Sequence, residues 1–120
     1  MSTDQGIVSG AALSSSVLTV VRDGRVIVWL FGDVDYRVAS DLRVIAQRAP
    51  EVASHLVVEG SRVTFCDSTL LHFIALMASR MPVIVRRPTR VFRDILDLAR
   101  LSGQVTFDDG QSCGRASPRS

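Results

Sequence analysis

The chain has no lysine; its fourteen basic residues are all arginine. That excludes a Schiff-base lysine and a Walker-type phosphate lysine. Cysteine is scarce, with two residues, Cys66 and Cys113. Two cysteines cannot form a disulfide framework, and without a CxxC pair there is no zinc signature. The reading is a reduced chain with one packed thiol after a strand and one thiol in a Gly/Ser-rich tail. A redox pair between them would require the tail to swing across. His55 and His72 lack the carboxylate or cysteine spacing of a metal site, so no metal is expected. No apolar run approaches the ~20 residues of a membrane span. Residues 1–16 have neither a basic start nor a long apolar core, so a secretory signal is not expected and the chain reads as cytoplasmic. A net charge of +2 makes no electrostatic case for nucleic acid.

What is present is ordinary globular composition, 47% hydrophobic and 22% charged over 120 residues, which is too apolar for disorder and about right for one domain. Residues 1–16 are rich in Ser, Gly and Ala without a period and read as a loose arm. Residues 17–22 and 25–31 are β-rich, with Asp23-Gly24 between them as a primed hairpin turn, so the first two strands are antiparallel neighbours. After Gly32-Asp33-Val34-Asp35 the period becomes helical, with Val38, Leu42, Ile45, Ala46 and Ala49 on one face, and Pro50 ends the helix. Leu56-Val57-Val58 reads as a strand buried on both faces. Gly60 turns the chain, and Val63-Thr64-Phe65 leads into Cys66-Asp67-Ser68.

A second helix follows, apolar at 70, 73, 74 and 77, with Asp67 or Ser68 suited to cap it. Val83-Ile84-Val85 is a short strand. Thr89 caps a third helix, whose inward residues are Val91, Phe92, Ile95, Leu98 and Ala99 and whose end is Gly103. Residues 105–107 form a last strand, and residues 110–120 read as a flexible tail. The order β-β-α-β-α-β-α-β defines an α/β domain over residues 17–109, with a mixed, mostly parallel sheet of about four or five strands and helices packed against it.

Two segments carry functional information: Gly32-Asp33-Val34-Asp35 and Val63-Thr64-Phe65-Cys66-Asp67-Ser68. Both set short acidic residues at a strand-to-helix switch, where one edge of a sheet commonly holds a ligand or partner site. Together with Thr69-Leu70-Leu71 and Leu98-Ala99-Arg100-Leu101-Ser102-Gly103, they make residues 17–109 resemble the anti-sigma factor antagonists, a STAS-domain family. Its members read Gly-Glu-Leu-Asp after the second strand and Asp-Ser-Ser-Gly-Leu at the second helix.

The resemblance implies a partner-switching protein and not an enzyme. The unphosphorylated form binds a kinase-type anti-sigma factor and frees a sigma factor, and serine phosphorylation releases the complex. The acceptor would be Ser68. The partner surface would be Asp33, Asp35, Asp67, Ser68, Thr69, Leu70, Leu71 and His72, with the chain a monomer or weak dimer. A phosphate on Ser68 would add about −1.5 to −2 charges. Ser68 as a helix cap is the plainer reading, and the two roles are compatible. Asp33 and Asp35 read equally as loop and cap residues.

Arg86, Arg87 and Arg90 follow the fourth strand. They are an anion contact on the Ser68 edge if strands three and four are parallel, or else a solvated loop. The chain departs from the family at Leu70, which replaces a glycine and either turns inward or fills space a partner's backbone would use. It also departs at Thr69, at Glu59 and in the absence of helical pattern after residue 110. The Leu70 departure keeps open an alternative, an unphosphorylated STAS-type regulatory subunit of a membrane or lipid transport complex. No cofactor is expected: GxGxxG, Walker and GxSxG motifs are all absent. Asp67 after a strand would also suit a phosphoaspartate receiver, but a receiver needs an acidic pair after its first strand and a late lysine, and this chain has no lysine.

Overall fold

The computed structural model describes residues 16–108 and the backbone of residues 11–12. The remainder of the expected arm, the 110–120 tail and Cys113 lie outside the described residues. Six strands form one sheet in chain order: β1 (Ala11–Ala12), β2 (Val17–Arg22), β3 (Arg25–Val34), β4 (His55–Cys66), β5 (Val83–Arg86) and β6 (Thr106–Asp108). The first three pair antiparallel and the rest parallel. Three helices supply the crossovers: α1 (Ala39–Val52), α2 (Ser68–Ala78) and α3 (Arg90–Leu98). The mixed, mostly parallel α/β domain read from the sequence is therefore the fold. The sixth strand is the addition, because Ala11–Ala12 pairs with Leu18 and Thr19 inside the segment read as an arm.

Asp23 and Gly24 both have positive φ, 54° and 77°, as a type I′ turn requires, and the turn sets the β2–β3 register. Val26, Val28 and Leu30 on β3, Leu56 and Val58 on β4, and Val83 and Val85 on β5 share one face. They form a single buried cluster with Leu42, Ile45, Phe73, Ile74, Phe92 and Leu96 of the helices. All three helices thus pack on one side of the sheet. The opposite face carries Ile27, Trp29, Val57 and Ile84 by alternation, with no described helix over it.

Four sequence readings are corrected. Gly60 does not turn the chain, because β4 runs unbroken for twelve residues. Two register shifts against β3 absorb the irregularity, one between Trp29 and Phe31 and one between Gly32 and Asp33. Gly60 is required for another reason: a Cβ there would lie 2.6 Å from the buried Phe92 ring and 3.3 Å from the Pro88 backbone.

Pro50 does not stop α1, which continues to Val52. Proline has no N–H to give the carbonyl four residues back. That carbonyl, on Ala46, accepts instead from Arg80 Nη1 at 3.3 Å.

The buried face of α3 is Phe92 and Leu96 with Ile95 beside them, while Val91 is 41% and Leu98 83% exposed and Ala99 is also exposed. The helix is rotated because its start is pinned: Thr89 Oγ1 donates to the Val63 carbonyl at 2.7 Å, and Phe92 packs over Gly60. Finally, Gly103 does not end α3. Arg100 takes the left-handed position, φ 63°, while its N–H bonds Asp97 O and the Leu101 N–H bonds Leu96 O. This is a Schellman end with arginine where glycine is usual.

Candidate functional site

The carboxyl ends of β3 and β4 lie side by side. Asp33 pairs in register with Phe65 and Val34 with Cys66, and the Asp67 N–H donates to the Val34 carbonyl. The Gly32–Asp35 bend and the start of α2 therefore share one rim. Thr64 Oγ1 donates to Asp33 Oδ1 at 3.1 Å and ties the two strands together there. Gly32, at φ 70°, and the extra residue Thr64 on β4 form a bulge at this point. A bulge kinks and twists a strand locally, which re-aims its side chains.

Asp67 is the cap of α2. Its Oδ1 accepts from the Thr69 N–H at 2.8 Å. Ser68 is the first residue of the helix, it is exposed, and among the described residues its hydroxyl makes no hydrogen bond. The plainer reading of Ser68 as the cap is thus replaced by Asp67. The amides of Ser68 and Leu70 have no partner inside the helix, so this end carries partial positive charge and favours an anion.

Leu70 is fully buried, and its place in the expected partner surface is corrected. It sits on the same helical face as Phe73, Ile74 and Met77, so the side chain turns into the core and leaves the rim clear. Leu71 is half-buried against the core, Thr69 is half-buried, and His72 is exposed.

Asp35 opens a single 3₁₀ turn, Tyr36–Val38, by accepting from the Arg37 N–H at 3.0 Å. The Arg37 guanidinium also grips it, Nη2 to Oδ2 at 2.7 Å, which holds the carboxyl below its usual range. Asp35 is thus a structural cap paired with its neighbour, whereas Asp33 is exposed beside Thr64. Two exposed aromatics, Tyr36 at 72% and Phe65 at 49%, belong to the same rim segments. Sequence reasoning missed both. The signal was an aromatic at each strand-to-helix switch, a type favoured at protein interfaces.

Cys66 is 1% exposed, and burial pushes its thiol up to about 11, with the Asp67 charge adding to the effect. It is a packing residue.

The arginine cluster is not brought to Ser68. β4 and β5 are parallel, but Arg86 pairs with Glu59, seven positions before Cys66 and so roughly 20 Å along the strand. Arg87 Nε donates to Glu59 Oε2 at 3.1 Å, Arg86 Nε lies 3.7 Å from Oε1, and Arg90 pairs with Asp94 at 3.5 Å. The side chain of Glu59 is only 1% exposed, so its two arginines neutralise a buried carboxylate. The strands are parallel as the reading required, but β4 has twelve residues and β5 four, and the unequal lengths separate the groups. Among the described residues no cluster of His, Cys, Asp and Glu could hold a metal ion, and no helix is long and apolar enough to cross a membrane.

This geometry, a mixed sheet with three helices on one face and an exposed serine opening the second, defines a STAS-type fold. No family model matches the sequence, and no curated protein does. Solved structures do match. The anti-sigma factor antagonist SpoIIAA in its unphosphorylated form superposes with a TM-score of 0.66 at 17% identity, covering 77% of this chain and 87% of that one. The Bacillus cell fate determinant SpoIIAA in its phosphorylated form gives 0.59 at 18% identity, covering 77% and 90%. A putative anti-sigma factor antagonist from Thermotoga maritima gives 0.62 at 14% identity, covering 76% and 84%. The chain has the fold of the anti-sigma factor antagonists.

Proposed function

We propose that this protein is an anti-sigma factor antagonist, switched by phosphorylation of Ser68. In the unphosphorylated state it docks a kinase-type anti-sigma factor on the rim formed by Asp33, Tyr36, Phe65, Asp67, Ser68 and Thr69, and a sigma factor is released. The observation that carries this reading is the Ser68 hydroxyl. It is exposed, unbonded among the described residues, and set at the mouth of α2 beside a carboxylate that already serves as the cap. Burial of Leu70 supports it further, because the first turn stays open to a partner. That SpoIIAA exists in phosphorylated and unphosphorylated forms is consistent with the same chemistry.

The physics favours a switch without refolding. The positive end of α2 offsets part of the phosphate's charge, so the fold accommodates it. At the interface the dianion meets a kinase site holding nucleotide phosphates, and Asp33 and Asp67 strengthen the local negative field. A loss of ~3 kcal/mol of binding weakens a complex more than a hundredfold.

The test is incubation with the kinase-type anti-sigma factors of the same genome and ATP, followed by mass spectrometry. Phosphate is expected on Ser68, and Ser68→Ala should still bind its partner but resist release. Ser68→Asp should weaken binding at least a hundredfold while the thermal midpoint stays nearly unchanged. Phosphate elsewhere, or copurification with a transporter and no phosphate at all, overturns the reading.

A further inference from the structure

A groove of about 450 Å³ runs between α1 and α2, and of its lining only Thr69 also belongs to the docking rim described above. Its α1 wall is Ala39, Leu42, Arg43, Ala46 and Gln47, a stripe at helical spacing on one side of the helix. Its α2 wall is Thr69, His72, Phe73 and Leu76, with Arg80 just beyond. Both helices begin at the Ser68 rim, so the groove starts there and runs away from it. From Ala39 to Gln47 it is roughly 12 Å long at the helical rise per residue.

Two properties define what fits. The floor is apolar: Leu42 and Phe73 are buried beneath it, and Leu76 is 41% exposed along its side. The charged side chains around it have one sign: Arg43 and Arg80 line the groove beside the polar His72, Gln47 and Thr69, and no carboxylate does. Among the described residues neither Arg43 nor Arg80 is in an ion pair, in contrast to Arg37, Arg86, Arg87 and Arg90, each of which has its acid. Arg80 closes the far end. One of its guanidinium donors is spent on the Ala46 carbonyl that Pro50 leaves free, which fixes the side chain across the groove with its other donors uncommitted. A volume within the usual range for small-molecule sites, an apolar floor and a few convergent polar groups are the features of a ligand pocket.

We propose that this groove binds an anionic amphiphile: a single carboxylate head on an unbranched apolar tail of about ten carbons, matching the groove's length. The tail lies over Leu42 and Phe73 against Leu76. The head is held by the cations, where charge-assisted hydrogen bonds are the strong kind. The site stands independently of the Ser68 switch, although Thr69 in its wall makes it the immediate neighbour of that switch.

The test uses the full chain and decanoate below its critical micelle concentration, followed by amide chemical shifts. Saturable shifts are expected along Ala39–Gln47 and Thr69–Leu76, the two walls of the groove. Decanol should bind at least tenfold more weakly and decyltrimethylammonium not detectably, since the loss of one charged hydrogen bond is worth roughly tenfold or more. Arg43→Gln, at an exposed position, should weaken decanoate binding by about the same factor. Leu76→Glu should abolish binding without unfolding the chain, and its amide spectrum serves as the control. Equal binding of all three amphiphiles, shifts centred on the uncovered sheet face around Trp29, or no saturable shift up to millimolar decanoate each overturn the proposal. Shifts produced by an acidic helical peptide but not by decanoate would do so as well and would assign the groove to a protein partner.

Discussion

Aspartate and serine are nearly equal as helix caps, and positions 67 and 68 carry one of each. The choice between them decides what Ser68 is free to do. Asp67 enters the cap because the strand ends at Cys66 and the Asp67 amide is already held by the Val34 carbonyl, so the backbone is extended there and turns helical one residue later. Ser68 is left pointing to solvent with no structural duty. Two residues earlier the chain buries Cys66, and there the chemistry is suppressed. With its thiol pushed up to about 11, the reactive thiolate is about one part in a thousand at pH 8. In a Cys113→Ser background, iodoacetamide at pH 8 should leave Cys66 unmodified in the native chain and label it fully in denaturant. Labelling at comparable rates in both states would mean that Cys66 is accessible and poised to react.

At the scale of elements, β4 decides the most. It is long because bulges, not a turn, relieve its twist against β3, and it places a glycine where α3 crosses. Gly60→Ala would drive a methyl into Phe92, whose ring is fully buried and cannot swing aside. A loss of about 1–3 kcal/mol is expected in a urea melt, the usual cost of overpacking a core. A neutral result would mean that α3 sits loosely on the sheet. The end of α3 predicts the opposite sign. Arg100 holds a left-handed φ that a side chain disfavours, so Arg100→Gly should raise stability by about 1 kcal/mol in the same melt. α1 shows how one element rescues another. A proline four residues after Ala46 leaves that carbonyl open, and Arg80, from beyond the end of α2, fills it.

At the scale of the molecule, parallel strands joined by helical crossovers bring strand ends and helix starts to one rim. The same topology starts α1 and α2 at that rim with a groove between them. A charge added there lies outside the core cluster. The amide spectrum of Ser68→Asp should therefore differ from the parent only around residues 32–37 and 63–72, with the sheet and α3 unmoved. Changes spread through β2 or α3 would show that charge at this position reshapes the fold and that the switch is conformational.

Much of this was legible in the order of residues. The hairpin turn at Asp23-Gly24, the buried faces of α1 and α2, and the two strand-to-helix switches follow from local conformation and from periodicity, which a chain carries without reference to its partners in space. Tertiary structure decided the rest, wherever two distant segments met. It set which face α3 buries, because Thr89 is anchored at Val63. It made Gly60 a contact and not a turn, because Phe92 arrives from thirty-two residues away. It gave Arg86 and Arg87 to Glu59 and not to the Ser68 rim, because β4 outruns β5 by several residues. Periodicity fixes what a segment prefers to bury, but distance in space is set by how unequal elements are laid side by side, and no local pattern encodes that.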